Sequence, residues 1–320
     1  MKVHVTFDIE VWCDGWTQLD ARFPTAFRRY FYGESAAGQY ALPKTIEIMQ
    51  RHGLQGVFFV EPLFSARFGA PWLDIVVQLI QRGGQDVQLH LHPEWTDEIR
   101  PALIDDISRK RQHLVQYSTL EQATLIGHGQ RMLEAAKGAP VTVFRAGSFA
   151  ANRDTYRALR EVGIWLDSSL NATCDYSAGT VQGVSHFSSR RVIEGIEVFP
   201  ITVMADGFGR MRAAQVNGCA FAEIRQALLA AQRAGVERFV IVSHNFDMLR
   251  QGSSQPDWTV VRRFEALCRF LEERDDLFEV GPFPTAPSGL PERSETRPAV
   301  GPLPTARRLA EQALRRIVAR

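Results

Sequence analysis

Apolar runs of strand length alternate with amphipathic stretches of helix length along most of this chain, and that alternation leaves few folds open to it. VHVTF (3–7), GVFFV (56–60), DVQLHL (86–91), VTVFR (141–145), IWLD (164–167), IEVFPI (196–201), RFVIVSH (238–244) and LFEVG (277–281) read as strands. Helical patterns fall at 43–52, 72–82, 220–234 and 257–274, with a further helix capped by Asn152 and ending near Gly163. The stretch 104–137 reads as mostly helical, in two pieces. Roughly eight strands alternating with helices predict an α/β chain built on a parallel sheet, open or closed into a barrel. In either case reactive groups gather at the C-terminal ends of strands. Those ends carry Asp8, Glu10, Glu61, His90, His92, Arg145, Asp167, Thr202 and His244.

With 320 residues, 45% of them hydrophobic, the chain can bury a large core as a single domain. A formal net charge of +1 gives no global field for nucleic acid. MKVHVTFD resembles a strand and not a signal peptide, and no apolar run is long enough to span a bilayer. Cys13, Cys174, Cys219 and Cys268 show no CxxC spacing, which fits reduced thiols. The expectation is a cytoplasmic protein. Beyond Pro282 the pattern breaks. Pro284, Pro287, Pro291, Pro298, Pro302 and Pro304 punctuate a segment read as a Pro-rich linker over 284–305. A basic amphipathic helix follows over 306–320, with Leu309, Ala313, Leu314, Ile317 and Val318 on one face. Such a short helix is expected to form only against a partner or a lipid surface, a possible peripheral membrane contact.

Two pairs carry the chemistry. In VQLHLHPEW, His90 and His92 stand two apart at a strand end, so both imidazoles face one way. In TFDIEVW, Asp8 and Glu10 do the same. Two histidines and one carboxylate suit a borderline divalent ion such as zinc, with the second carboxylate free to act as a base. Arg145 ends a strand and can hold a carboxylate. His244 follows a buried-looking strand, as a third ligand or a separate general acid.

The order of VTFDIE, LHLHP, FRAGSF with LDSSL, and VSHNF resembles the polysaccharide deacetylase (NodB-homology) family, the family-four carbohydrate esterases. The resemblance spans about residues 3–283 in pieces. It implies a deformed (β/α) barrel of seven or eight strands, as a single domain over 1–283 with a C-terminal tail. It implies one divalent metal ion, commonly zinc, held by Glu10, His90 and His92. Asp8 becomes the general base, Arg145 its tuning partner, and His244 the acid that protonates the leaving amine. Trp12, Trp95, Ser148 and Phe149 become candidate substrate contacts. The chain departs from the family pattern in several places. Glu10 stands where Asp is usual, one residue separates the acids, the histidines lie two apart instead of four, and Ala-Gly-Ser follows Arg145. Glu94 and Cys13 stay open as alternative ligands. The implied reaction is removal of an N-acetyl or N-formyl group from an amino sugar, nucleotide- or lipid-linked, in cell-surface polysaccharide or glycolipid synthesis. Rival expectations are a cyclic-amide or ureido hydrolase on the same barrel, and an inactive glycan-binding component of a polysaccharide assembly complex.

Overall fold

The first strand, β1, explains much of the architecture. In Lys2–Ile9 the residues Val3, Val5, Phe7 and Ile9 alternate with His4, Thr6 and Asp8. All of these are buried, so both faces of β1 are covered. The apolar set packs on surrounding helices, while the polar set faces the concave side of a curled sheet. The computed structural model describes residues 1–174, 189–289 and 297–318.

Nine strands among the described residues form this sheet. They are β1, β2 (Val57–Val60), β3 (Asp86–Leu91), β4 (Val143–Ala146), β5 (Leu166–Asp167), β6 (Arg191–Ile193), β7 (Ile196–Val198), β8 (Arg238–His244) and β9 (Glu279–Val280). Their order is β8-β1-β2-β3-β4-β5-β7-β6, with β9 beside the start of β1. Every pairing is parallel except β6 with β7. Beyond β7 the chain curls back toward β8. The Thr202 amide donates to Val240 O at 3.1 Å, and Val242 N donates to Ala214 O at 2.9 Å. These bonds cover the outer edge of β8, which would otherwise be a free edge. The result is a curled half-barrel wrapped by helices.

The helices among the described residues are α1 (Leu19–Phe27), α2 (Leu42–Arg51), α3 (Leu63–Phe68), α4 (Ala70–Arg82), α5 (Thr119–Lys137), α6 (Arg153–Glu161), α7 (Phe221–Arg233), α8 (Trp258–Glu273) and α9 (Pro302–Val318). Asn152 caps α6 through the Thr155 amide, as its sequence context predicts. The aromatic segment after Trp12 divides in two. Phe23, Phe27 and Phe31 are buried and pack on Phe64, whereas Trp12 and Tyr30 line a cleft.

Two expectations need correction. The stretch 104–118 is irregular apart from a short turn at Leu114–Gln116, and only α5 is helical there. The Asp106 carboxylate takes the Ser108 amide at 3.2 Å, a local bond that competes with helix formation. A capping box of Ser118 and Glu121 then starts α5. The C-terminal segment also differs from the reading as a linker and a partner-dependent helix. Ser288 N donates to Glu197 at 2.6 Å, and Ala205 pairs with Ala299. Residues 290–296 of the expected linker lie outside the described residues. Helix α9 starts at Pro302 and docks on the body by its polar side. Arg308, 1% exposed, donates from Nη2 to Asp206 at 2.9 Å and from Nε to Glu223 at 3.0 Å. Glu311 pairs with Arg263, and Arg315 with Asp257. Leu309, on the predicted apolar face, is exposed. Among the described residues no helix is long and apolar enough to cross a membrane.

Candidate active site

The polar alternation of β1 continues past its end, so Asp8 and Glu10 both reach the concave side where β3, β4 and β8 finish. The same alternation on β3 brings His90 and His92 there. Six residues singled out in the sequence therefore meet at one mouth: Asp8, Glu10, His90, His92, Arg145 and His244.

Arg145 lies fully buried beneath this mouth. Its Nη1 donates to Asp8 Oδ1 at 2.6 Å and to Thr6 Oγ1 at 2.9 Å. Its Nε donates to Ser168 O at 3.0 Å, and the guanidinium lies 4.1 Å from the Phe59 ring centroid. A planar fork anchored on several sides positions the Asp8 carboxylate through one oxygen.

The Nε2 atoms of His90 and His92 are buried and make no hydrogen bond. Each lies 3.4 Å from Glu10 Oε1. His90 Nδ1 meets Arg145 O at 2.9 Å, and His92 Nδ1 meets the Glu94 carboxylate at 3.2 Å. With Nδ1–H donating to those oxygens, each ring aims its Nε2 at Glu10, the atom that would give up any proton to a cation bound between them. Burial opposes charge on both Glu10 and His92. It is outweighed as the His92 imidazole holds Glu10 well below the usual carboxylate range, and Glu10 with Glu94 holds His92 well above the usual histidine range. Two unsatisfied buried imidazole nitrogens facing one carboxylate fit a divalent cation. Gly147 makes room for this arrangement, because a Cβ there would stand 2.7 Å from His92 ring atoms. Asp8, Glu10 and His244 form a second group of potential ligands. Cys13 contributes to neither group among the described residues, and burial pushes its thiol up to about 11. Glu94 orients His92 and is likewise absent from both groups.

His244 sits across the mouth, with Nε2 3.9 Å from Glu10 Oε1. Burial lowers its basicity, but Asp247, then Glu10 and Asp8, raise it to about 10. Asp247 Oδ2 accepts from the His244 amide at 2.9 Å and from Ser243 Oγ at 2.9 Å, and lies 3.4 Å from His244 Nδ1. Asn245 ties the elements together, accepting from Glu10 N and donating to Glu10 O and Tyr30 O. Sequence reasoning passed over both Asp247 and Asn245. The usable signal was their spacing behind His244, since short polar side chains in a loop are often anchors.

The four candidate substrate contacts fare differently. Trp12 donates from Nε1 to Glu10 Oε2 at 2.8 Å, stands edge-on to His92, and lines a cleft beside the site. Ser148 is exposed and Phe149 half-buried, directly after Gly147, with φ of 54° and 55°. Such left-handed values are unusual for non-glycine residues and mark a constrained turn. Trp95 is a correction: it is 1% exposed and packs edge-on against Trp16 and Phe68, because the turn after Pro93 swings it into the core. Glu61 and Asp167 are also structural. Glu61 accepts the Leu63 and Phe64 amides at the start of α3, and burial pushes its carboxyl up to about 8. Asp167 accepts the Ser169 amide and hydroxyl.

No protein-family model and no curated protein sequence matches the chain. Solved structures do. A Mycobacterium smegmatis protein classed as a polysaccharide deacetylase shares 18% identity over 88% of this chain and 86% of its own, with a TM-score of 0.56. A family 4 carbohydrate esterase from Streptomyces lividans, solved with acetate, shares 14% identity over 94% of this chain and 97% of its own, with a TM-score of 0.44. A family 4 pseudoenzyme from Bacillus anthracis shares 13% identity over 88% of this chain and 63% of its own, with a TM-score of 0.41. The chain therefore has the fold of the polysaccharide deacetylases.

Proposed function

We propose that the protein is a divalent-metal-dependent amidohydrolase that removes an N-acetyl or N-formyl group from an amino sugar used in cell-surface polysaccharide or glycolipid synthesis. The observation that carries this reading is the pair of buried Nε2 atoms on His90 and His92, without a hydrogen bond and aimed at Glu10, flanked by Asp8 on Arg145 and by His244 on Asp247. These three ligands would hold the ion, and zinc suits two imidazoles with one carboxylate. Bound there, a divalent ion supplies Lewis-acid polarisation of the acyl oxygen and a lowered water pKa.

The remaining steps belong to the chain's own residues. Arg145 engages Asp8 through Oδ1, so Oδ2 takes the proton of the attacking water. The amide C–N bond then breaks, and protonated His244 gives its proton to the departing nitrogen, releasing carboxylic acid and free amine. Asp247 keeps the His244 ring oriented and favours the imidazolium needed for that transfer. Trp12 offers an aromatic face beside the reacting centre.

The test joins metal analysis to a mass-spectrometric screen of N-acetylated and N-formylated sugars. Asp8→Asn should keep the metal and lose about 10²-fold or more in turnover. Loss of metal in Asp8→Asn, with metal retained in Glu10→Gln, would exchange the two assigned roles. No acid released by the wild type from any N-acyl sugar would remove the amidohydrolase reading.

A further inference from the structure

A cleft of about 490 Å³ opens beside His244, and its walls carry more positive charge than a neutral sugar requires. Trp12, Tyr30 and Phe246 provide aromatic surface, while Arg29, Arg250 and Arg315 provide three guanidinium groups. Asp247 is the one carboxylate among the lining residues, and its oxygens are taken by Ser243, His244 and Asn217. Arg29 pairs with Asp14 at 3.2 Å, whose side chain is 69% exposed, so that pair is weak. Arg315 reaches the cleft from α9 and pairs with Asp257 at 2.7 Å. Arg250 has no carboxylate within 4.0 Å among the described residues; it sits in a turn held by its amide on Gln255 O at 2.8 Å. Arg250 is thus the guanidinium of the lining left without a carboxylate among the described residues, and Arg29 is only weakly held beside it. Arginine forks match phosphate oxygens in bidentate fashion.

The cleft borders the reacting centre through Trp12, Phe246 and Asp247. Phe246 stacks on His244, Asp247 holds that ring, and Trp12 bonds Glu10. We infer that this cleft is an anion subsite, and that the N-acyl sugar carries a phosphate ester bound by Arg250 with Arg29 and Arg315. The inference rests on the amidohydrolase reading for the sugar, but not for the anion. It also gives α9 a part in binding, since that helix supplies Arg315.

The test compares kcat/KM for N-acetylglucosamine 1-phosphate with that for methyl N-acetylglucosaminide. The wild type should favour the phosphate by at least about tenfold, the scale of a charge-assisted bond. Arg250→Gln should bring the ratio toward one, Arg250→Lys should give an intermediate ratio, and rising salt should erode the preference. Arg29→Gln serves as the second variant, with melting curves to confirm folding. A nucleoside diphosphate ester and a short polyprenyl diphosphate ester in micelles, run as further arms, separate soluble from lipid carriers. Calorimetric titration with inorganic phosphate runs in parallel. If no sugar is hydrolysed, yet phosphate binding weakens at least about tenfold in Arg250→Gln, the subsite stands and the amidohydrolase reading falls. Equal phosphate affinity in wild type and Arg250→Gln, or an equally good neutral glycoside, overturns the subsite.

Discussion

Replacing Arg308 by Met tests whether the C-terminal helix belongs to the folded body. Arg308 is 1% exposed and bridges Asp206 and Glu223, whose side chains are 1% and 0% exposed. Met keeps much of the aliphatic length and removes the charge. Breaking a buried ion pair from one side costs about 3–5 kcal/mol, because a charge stays behind without its partner. Asp206 would keep Arg212 and the Phe208 and Arg210 amides, and Glu223 would keep the Thr305 hydroxyl and the Ala220 amide. The loss therefore falls near the low end, about 3 kcal/mol. With an unfolding entropy of about 2.1 cal/mol/K per residue over 320 residues, that lowers Tm by about 4–5 °C. Calorimetry reads the shift. The triple variant Arg308→Met, Asp206→Asn, Glu223→Gln should recover most of it, since no buried charge is then unpaired. The gap between wild type and the single variant should also narrow as pH falls from 7 to 4, because protonation relieves the stranded Asp206 carboxylate, which, against burial, its partners hold below the usual range in the wild type. A shift below about 1 °C, or a triple variant no better than the single one, would refute the reasoning.

Gly147→Ala should displace the His92 ring, because the new Cβ would stand 2.7 Å from it; metal titration should show affinity down by about tenfold or more. Unchanged affinity would mean that the ring is not held in place for a ligand. Acid stability offers another check. Burial first, then Arg238 and Lys2, push His4 down to about 4, against the pull of its bond to Gly281 O. The native ring stays neutral while the unfolded one takes a proton near pH 6.5, so stability is full above 6.5 and falls by up to about 3 kcal/mol as pH drops to about 4. Denaturant titrations across this window should show a shallower decline for His4→Gln, and an identical decline would exclude His4 as its source.

The parts legible in the sequence were those that obey strand periodicity. A parallel sheet puts strand C-termini on one side, and period-two alternation puts i and i+2 on one face. Asp8, Glu10, His90, His92, Arg145 and His244 can therefore be placed together from the sequence. What stayed hidden depends on contacts that no local pattern encodes. Trp95 follows the histidine pair and looks available to a ligand, yet a single turn after Pro93 decides that it faces the core. Arg308 finds its carboxylates 102 and 85 residues away, so a stretch that reads as an apolar-faced helix docks by its charged side. Asp247 and Asn245 act through one loop closing on another, and their roles appear only once β1 and β8 lie side by side.

The concave side of the sheet is filled beneath the site. Phe283 stacks on His4 at 4.2 Å and joins Phe59, Phe199, Ile201, Val240 and Val242, with Arg145 resting on Phe59 above them. Among the described residues the half-barrel is thus a cup and not a pipe. On the proposed reading, what enters at the mouth leaves by the same way past the described residues, so a bound product obstructs the next reactant until it departs. A long polymer cannot thread through this fold; it can only lie across the rim and dip one group in. On the proposed hydrolase reading, small products should inhibit by occupying this opening.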